Sequence, residues 1–159
     1  TWPASHKVID EPLLKTTDAA GERHVRVVAH AGAEQAGARR SITLVKVRRR
    51  LTEASLLDVT LKTGRTHQIR VHLAHAGHAI VGDPKYGDFA ANKAFARTWR
   101  FTRMFLHAHE LGFEHPATGE RVRVVAPLPA DCATLLDRLD RLDRRAESRP
   151  SDEPPAARA

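Results

Sequence analysis

Residues 62–88 read KTGRTHQIRVHLAHAGHAIVGDPKYGD and gather more chemically able side chains than any other stretch of the chain. Gly64 loosens the backbone, Thr66 is placed to cap a helix, and that helix would carry His67, Gln68 and Arg70. A helix start presents unpaired N–H groups, so it suits an anion. Arg65 and Arg70 cannot share one helical face, but Arg65 precedes the cap and can point on its own. Read bottom-up, 64–70 is either an anion-binding turn or an ordinary surface turn with two solvated arginines. The Gly82-Asp83-x-x-Tyr86-Gly87 string is strong turn chemistry, and its plain reading is a tight turn with a packed tyrosine.

The histidines suggest a different chemistry. His72, His75 and His78 are spaced by three, and His107 and His109 flank Ala108. Such spacing can bring two imidazoles to one metal, but no cysteine pair and no Glu-x-x-His box supports it. His72 falls on the apolar face with Ile69, Leu73 and Ala76, where a hydrogen-bonded core histidine fits better. No metal site is assigned.

The elements that must position these groups read as α+β. Extended chain is expected over 1–17, with a strand near 7–9, then a turn at 18–22 and a strand at 24–29. The β-branched stretch 41–51 is predicted as a strand that breaks its alternation with a bulge at Leu44-Val45. Leu57, Val59 and Leu61 alternate with polar residues, which predicts a strand with one buried face. A helix over 66–76 would stop at Gly77, and a second would run from Phe89 to about Thr98. Strands are expected at 106–114 and 120–126 around a turn at 115–119. A helix over 129–145 would turn Leu135, Leu136, Leu139 and Leu142 inward. Together they predict a mixed or antiparallel sheet with flanking helices in one domain, 1–145, followed by a disordered polar tail, 146–159. No Gly-rich phosphate loop is present.

The formal charge of +7 favours a polyanionic partner, since cationic side chains release counterions from phosphates. Arg39, Arg40, Lys46, Arg48, Arg49 and Arg50 lie where no acid intervenes between Glu34 and Glu53. That run is either a solvated face or a phosphate-contacting rim; without interleaved aromatics it would not stack bases. The single cysteine, Cys132, excludes an internal disulfide framework and reads as a small packed side chain. No apolar run approaches membrane-spanning length, and a reducing, cytoplasmic location is expected. Oligomeric state is left open, and a partial sheet would expose an apolar edge.

The 64–70 and 82–87 motifs, in that order, resemble those of the RluA family of RNA pseudouridine synthases, in particular members acting on large-subunit ribosomal RNA. The resemblance runs from about Trp2 to Leu142. It includes Met104-Phe105-Leu106-His107-Ala108 at the family's Leu-x-Leu-His-Ala segment. Ser41-x-Thr43 sits at its weaker Gly-Lys-x-Ala-x-Thr element. It implies an isomerase that flips a uridine from its stack and needs no cofactor or metal. It implies that Arg70 pairs with the aspartate nucleophile and that Leu106 lines the uracil pocket. RNA would meet Arg65, His67 and Gln68, with Arg39, Arg40, Arg48, Arg49 and Arg50 as rim. A guanidinium suits the Arg70 role because its fork holds a carboxylate ionised.

The family's His-Arg-Leu-Asp-x-x-Thr-Ser-Gly segment, which bears the nucleophile, does not occur, nor does its base-stacking tyrosine. Asp10, Asp18, Asp58, Asp83 and Asp88 lack the flanking residues. The chain is therefore expected to be the C-terminal half of such a catalytic domain, inactive by itself. An RNA-binding domain of the S4 type, often found ahead of it, would also lie elsewhere. The competing reading is a non-catalytic basic RNA-binding module.

Overall fold

The computed structural model describes residues 2–3 and 7–147. Among these, the elements are β1 (Val8–Asp10), β2 (Leu13–Thr17), β3 (Arg23–Val27), β4 (Ile42–Arg50), β5 (Ser55–Leu61), α1 (Gln68–His75), α2 (Phe89–Trp99), β6 (Glu110–Glu114), β7 (Arg121–Val125) and α3 (Ala130–Glu147). Every ladder is antiparallel: β1-β4-β5, β2-β3 and β6-β7. The expected α+β class holds. Most of the expected tail, 148–159, lies outside the described residues.

β2 went unrecognised as a strand because LLKTT is too short to show alternation; only Leu13 is buried. It forms a hairpin with β3, closed by Asp18, whose Oδ1 accepts from Ala20 N at 3.0 Å and Glu22 N at 2.8 Å. The predicted bulge is real but lies elsewhere. Leu44 and Val45 pair in unbroken register with Thr60 and Val59, and the shift falls between Val47 and Arg49. The burial alternation Thr43, Val45, Val47 persists up to that point, so Leu44-Val45 is regular strand.

The bulge marks where the sheet passes from one apolar core to another. Val47 and Leu57 pack with Trp2, Ile9, Val45, Leu73 and Ile80. Leu51 and Leu56, just beyond, pack with Phe101, Cys132, Leu135, Leu136 and Leu139. The same division recurs in two further segments. Ile80 and Met104 face the α1 side, whereas Val81 and Phe105 face the α3 side. Phe105 N donates to Val81 O at 2.9 Å. These segments thus form a wall one chain thick, with alternate side chains feeding opposite cores, as extended backbone requires. Leu106, expected in a strand over 106–114, belongs to this wall; the β6 ladder begins only at Glu110.

Cys132 is almost fully buried, as expected, and burial raises its thiol pKa. Leu135, Leu136 and Leu139 face inward, but Leu142 is 36% exposed, because the core ends before that turn of α3. Each fully buried leucine contributes about 1.5–3 kcal/mol. Leu61 is likewise exposed, beyond the buried part of β5. On the β6-β7 hairpin, Leu111 pairs with Val124 and Phe113 with Val122, giving an apolar face with Leu111, Phe113 and Val124 exposed.

Candidate active site

α1 starts otherwise than predicted. Thr66 does not cap it; the cap position is His67, in a left-handed conformation at φ 53° with no side-chain cap bond. A polar side chain tolerates that conformation best after glycine. Gln68 organises the entry instead. Its Oε1 accepts from Thr63 Oγ1 at 2.9 Å and Arg65 N at 3.0 Å, and its Nε2 donates to Ile42 O and Thr43 Oγ1, both at 3.0 Å. Every hydrogen-bonding position of the amide is used and the residue is 2% exposed. Gln68 is therefore a structural clamp, correcting its expected place at an RNA interface.

The far end matches expectation. Gly77 is left-handed at φ 77°, Gly77 N donates to Ala74 O and His78 N to Leu73 O, a Schellman closure. His72 is the satisfied core histidine expected. Its Nε2 lies 3.0 Å from Glu11 O and its Nδ1 2.8 Å from Thr43 Oγ1. A carbonyl only accepts, so Nε2 carries the proton and the Thr43 hydroxyl donates to Nδ1. Burial lowers the His72 pKa despite the bond to Glu11. With His72 so engaged, the histidines 72, 75 and 78 form no metal cage. Among the described residues, the one trio within reach of an ion is the exposed Asp18, Glu22 and His24.

Arg70 projects from α1 onto the Gly82–Gly87 turn. Its Nε donates to Asp83 Oδ2 at 2.9 Å and its Nη2 to Asp83 Oδ1 at 2.7 Å. Asp83, expected only to shape the turn, is thus also a carboxylate partner of Arg70, beside the nucleophilic aspartate that the family resemblance places outside the chain. Its Oδ1 also accepts from Lys85 N at 2.9 Å and Tyr86 N at 3.0 Å. Burial would raise this carboxyl, but the Arg70 fork and the two N–H groups outweigh it and hold the pKa at about 2. A carboxylate so stabilised, with no exposed surface, is a poor nucleophile. Arg70 Nη1 has no hydrogen bond among the described residues, so one edge of the fork stays open. Tyr86 lies under the guanidinium, 4.9 Å from carbon to ring centroid. The Tyr86 hydroxyl is 2.9 Å from His67 Nδ1. Burial first, then the charges of Arg70 and Lys85, lower the His67 pKa.

The turn is itself clamped. Gly82 has φ 74°, and an added Cβ would lie 2.0 Å from Arg103 O. Glycine is required there both by conformation and by the close passage of the segment that carries Leu106. Asn92 of α2 accepts from Gly82 N at 2.8 Å through Oδ1 and donates to Asp83 O at 3.0 Å through Nδ2. Lys85 Nζ donates to Glu22 and, at 2.7 Å, to Arg23 O, tying the turn to the β2-β3 hairpin. Asn92 and Lys85 carry no motif of their own in the sequence. The one available signal was Asp88, whose side chain caps α2 at Ala91 N and so fixes where Asn92 points. Leu106 lies on the α1 side of the wall, in the core that holds Leu73 and Ile69, as a pocket-lining role would need.

The expected arginine rim divides. Arg40 pairs with Asp10 at 2.9 Å, Arg48 with Asp58 at 3.2 Å and Arg49 with Asp140, while Arg50 donates to Trp2 O at 2.8 Å. Arg49 turns toward α3 and is half-buried. Arg65 Nε reaches only Arg40 O, at 3.4 Å.

The RNA pseudouridylate synthase family profile matches residues 5–75. The chain is 42% identical over 138 residues to the ribosomal large subunit pseudouridine synthase C of Pasteurella multocida, covering 87% of this chain and 40% of that protein. It is 40% identical over 139 residues to the Escherichia coli K12 protein of the same name, covering 87% and 41%. Human RNA pseudouridylate synthase domain containing 1 superposes with a TM-score of 0.59 at 30% identity, covering 92% of this chain and 61% of that one. By these matches the chain is similar to the RNA pseudouridylate synthases in sequence and in fold. It spans about two-fifths of the length of the curated relatives it matches and aligns with their C-terminal portion.

Proposed function

We propose that the protein containing this chain isomerises uridine to pseudouridine in large-subunit (23S) ribosomal RNA. The observation that carries this reading is a fixed Arg70 guanidinium with one edge open, in a chain 42% identical to a ribosomal large subunit pseudouridine synthase. In the proposed reaction a flipped uridine is attacked by an aspartate carried outside this chain. The glycosidic bond breaks and the ring rejoins through carbon. Arg70 keeps the nucleophile ionised through its open edge, and Leu106 forms apolar pocket wall. Arg65, His67, Arg39 and Arg40 contact RNA, with the exposed Arg48 and Arg50 at the rim; Arg49, directed at Asp140, contributes least. No cofactor or metal enters the chemistry. Among the described residues no helix is long and apolar enough to cross a membrane, which suits a cytoplasmic rRNA-modifying protein.

Mapping pseudouridines in large-subunit rRNA from a strain lacking the whole gene tests this reading. Loss of one or more sites is expected, and an unchanged map overturns it. The chain alone should release no tritium from RNA labelled at carbon 5 of uracil, since positioning groups cannot replace a missing nucleophile.

A further inference from the structure

We propose that Lys15, Arg39 and Arg65 form a phosphate clamp that holds the RNA backbone beside the Arg70 site. The inference rests on the reading of the protein as an RNA-modifying enzyme and goes further in naming the residues that grip the backbone. Leu13 and Lys15 are two apart on β2, so they share a face; Val25 opposes Lys15, and Arg39 opposes Leu13 through an isolated antiparallel bridge. Directly opposed residues project to the same side of an antiparallel ladder. Lys15, Val25 and Arg39 therefore emerge together on the face where Leu13 and Val25 pack against Val71 of α1. The loop entering α1 brings Arg65 and Thr66 to the edge of that packing. The result is a pocket of about 270 Å³ with an apolar floor, three cations and the Thr66 hydroxyl around it, and no acid in its lining.

The cations of the clamp differ from the six carboxylate-paired arginines. Arg40, Arg48, Arg49, Arg70, Arg103 and Arg123 each face a carboxylate. Among the described residues Lys15, Arg39 and Arg65 make no ion pair, so no carboxylate competes with an entering anion for them. Arginine forks and a lysine ammonium are the groups that grip phosphate. Arg65 and Arg70 are five residues apart, so their Cα atoms are at most about 17 Å apart. The phosphate gripped is therefore that of the target nucleotide or a near neighbour.

The test is anisotropy titration of a fluorescein-labelled oligouridylate with the full protein across a salt series. Lys15→Ala/Arg39→Ala should bind at least about tenfold more weakly, with the salt slope reduced by about one per lost contact. Arg123→Ala, which removes a carboxylate-paired cation, should match wild type. All three side chains of the clamp are exposed or at its rim, and an unchanged melting temperature confirms that the variants fold. Wild-type affinity and slope in the double variant, or an equal loss in Arg123→Ala, overturns the clamp. An enzyme that binds RNA through the clamp yet leaves the rRNA pseudouridine map unchanged would refute only the proposed activity.

Discussion

Asp83 occupies the Nε–Nη2 edge of Arg70 with both carboxylate oxygens, at 2.9 and 2.7 Å, and leaves Nη1 unbonded within the described chain. The ion pair is shielded: the Asp83 side chain has no exposed surface and that of Arg70 is 15% exposed. Asp83 therefore fixes the guanidinium from behind, and the open edge is what remains to act.

Arg70→Lys in the complete enzyme keeps the charge and removes the fork, so it cannot hold two carboxylates at once. Tritium release from uracil-labelled RNA should fall severely, and Arg70→Ala should abolish it. Near-wild-type turnover in Arg70→Ala would dismiss the catalytic assignment. Because removing Arg70 strands a buried carboxylate, a stability loss of about 3–5 kcal/mol should accompany Arg70→Ala in urea unfolding.

Asp83 also sets an acid limit. Its folded pKa of about 2 lies below its ordinary 3.8, so the stability it contributes is present above about pH 4 and is lost as pH falls toward 2. The difference corresponds to about 2 kcal/mol. Asp83→Asn should flatten the acid branch of the stability profile between those values. A branch as steep as that of wild type would show that another carboxylate sets it.

His72 acts in the same sense at milder pH. Its folded pKa is lowered from 6.5, chiefly by burial, so the unfolded chain takes up a proton that the folded chain refuses. Stability is full above about pH 6.5 and declines as pH falls below it. His67 shifts the same way, so His72→Gln should lessen the decline without removing it. Urea midpoints at a series of pH values give the comparison; parallel declines in wild type and variant would exclude His72 as a source.

Asn92→Ala leaves Gly82 N and Asp83 O without their partner and should cost about 1–3 kcal/mol. Gly82→Ala should cost more, because the added Cβ meets Arg103 O at 2.0 Å in a backbone conformation unfavourable to alanine. Calorimetric melting of both variants tests the order. Equal, small effects would mean the turn relaxes freely.

The sequence made α1, α2 and α3 legible because each is long enough to show helical spacing, and Gly77 and Asp88 mark ends by local chemistry. It hid β2, whose five residues bury one side chain, and misplaced the bulge, because a register shift depends on the partner strand. The motif residues identified the region, but not their partners. Gln68 looked like a reader of RNA because its contacts, Ile42 O and Thr43 Oγ1, lie 25 residues or more away in the chain. Asp83 looked like turn chemistry alone for the same reason: its second partner is 13 residues back, on a helix.

The one-chain-thick wall implies that the molecule does not open all at once. The α1 and α3 cores meet across the β4-β5 ladder with the turn at Leu51, the chain around Ile80-Val81 and that around Met104-Phe105. Loosening α3 exposes Leu135, Leu136 and Leu139 yet leaves Leu73, Ile9 and Val45 packed. Amide exchange should then resolve two cooperative units, one on each side, with the wall amides such as Phe105 the last to exchange.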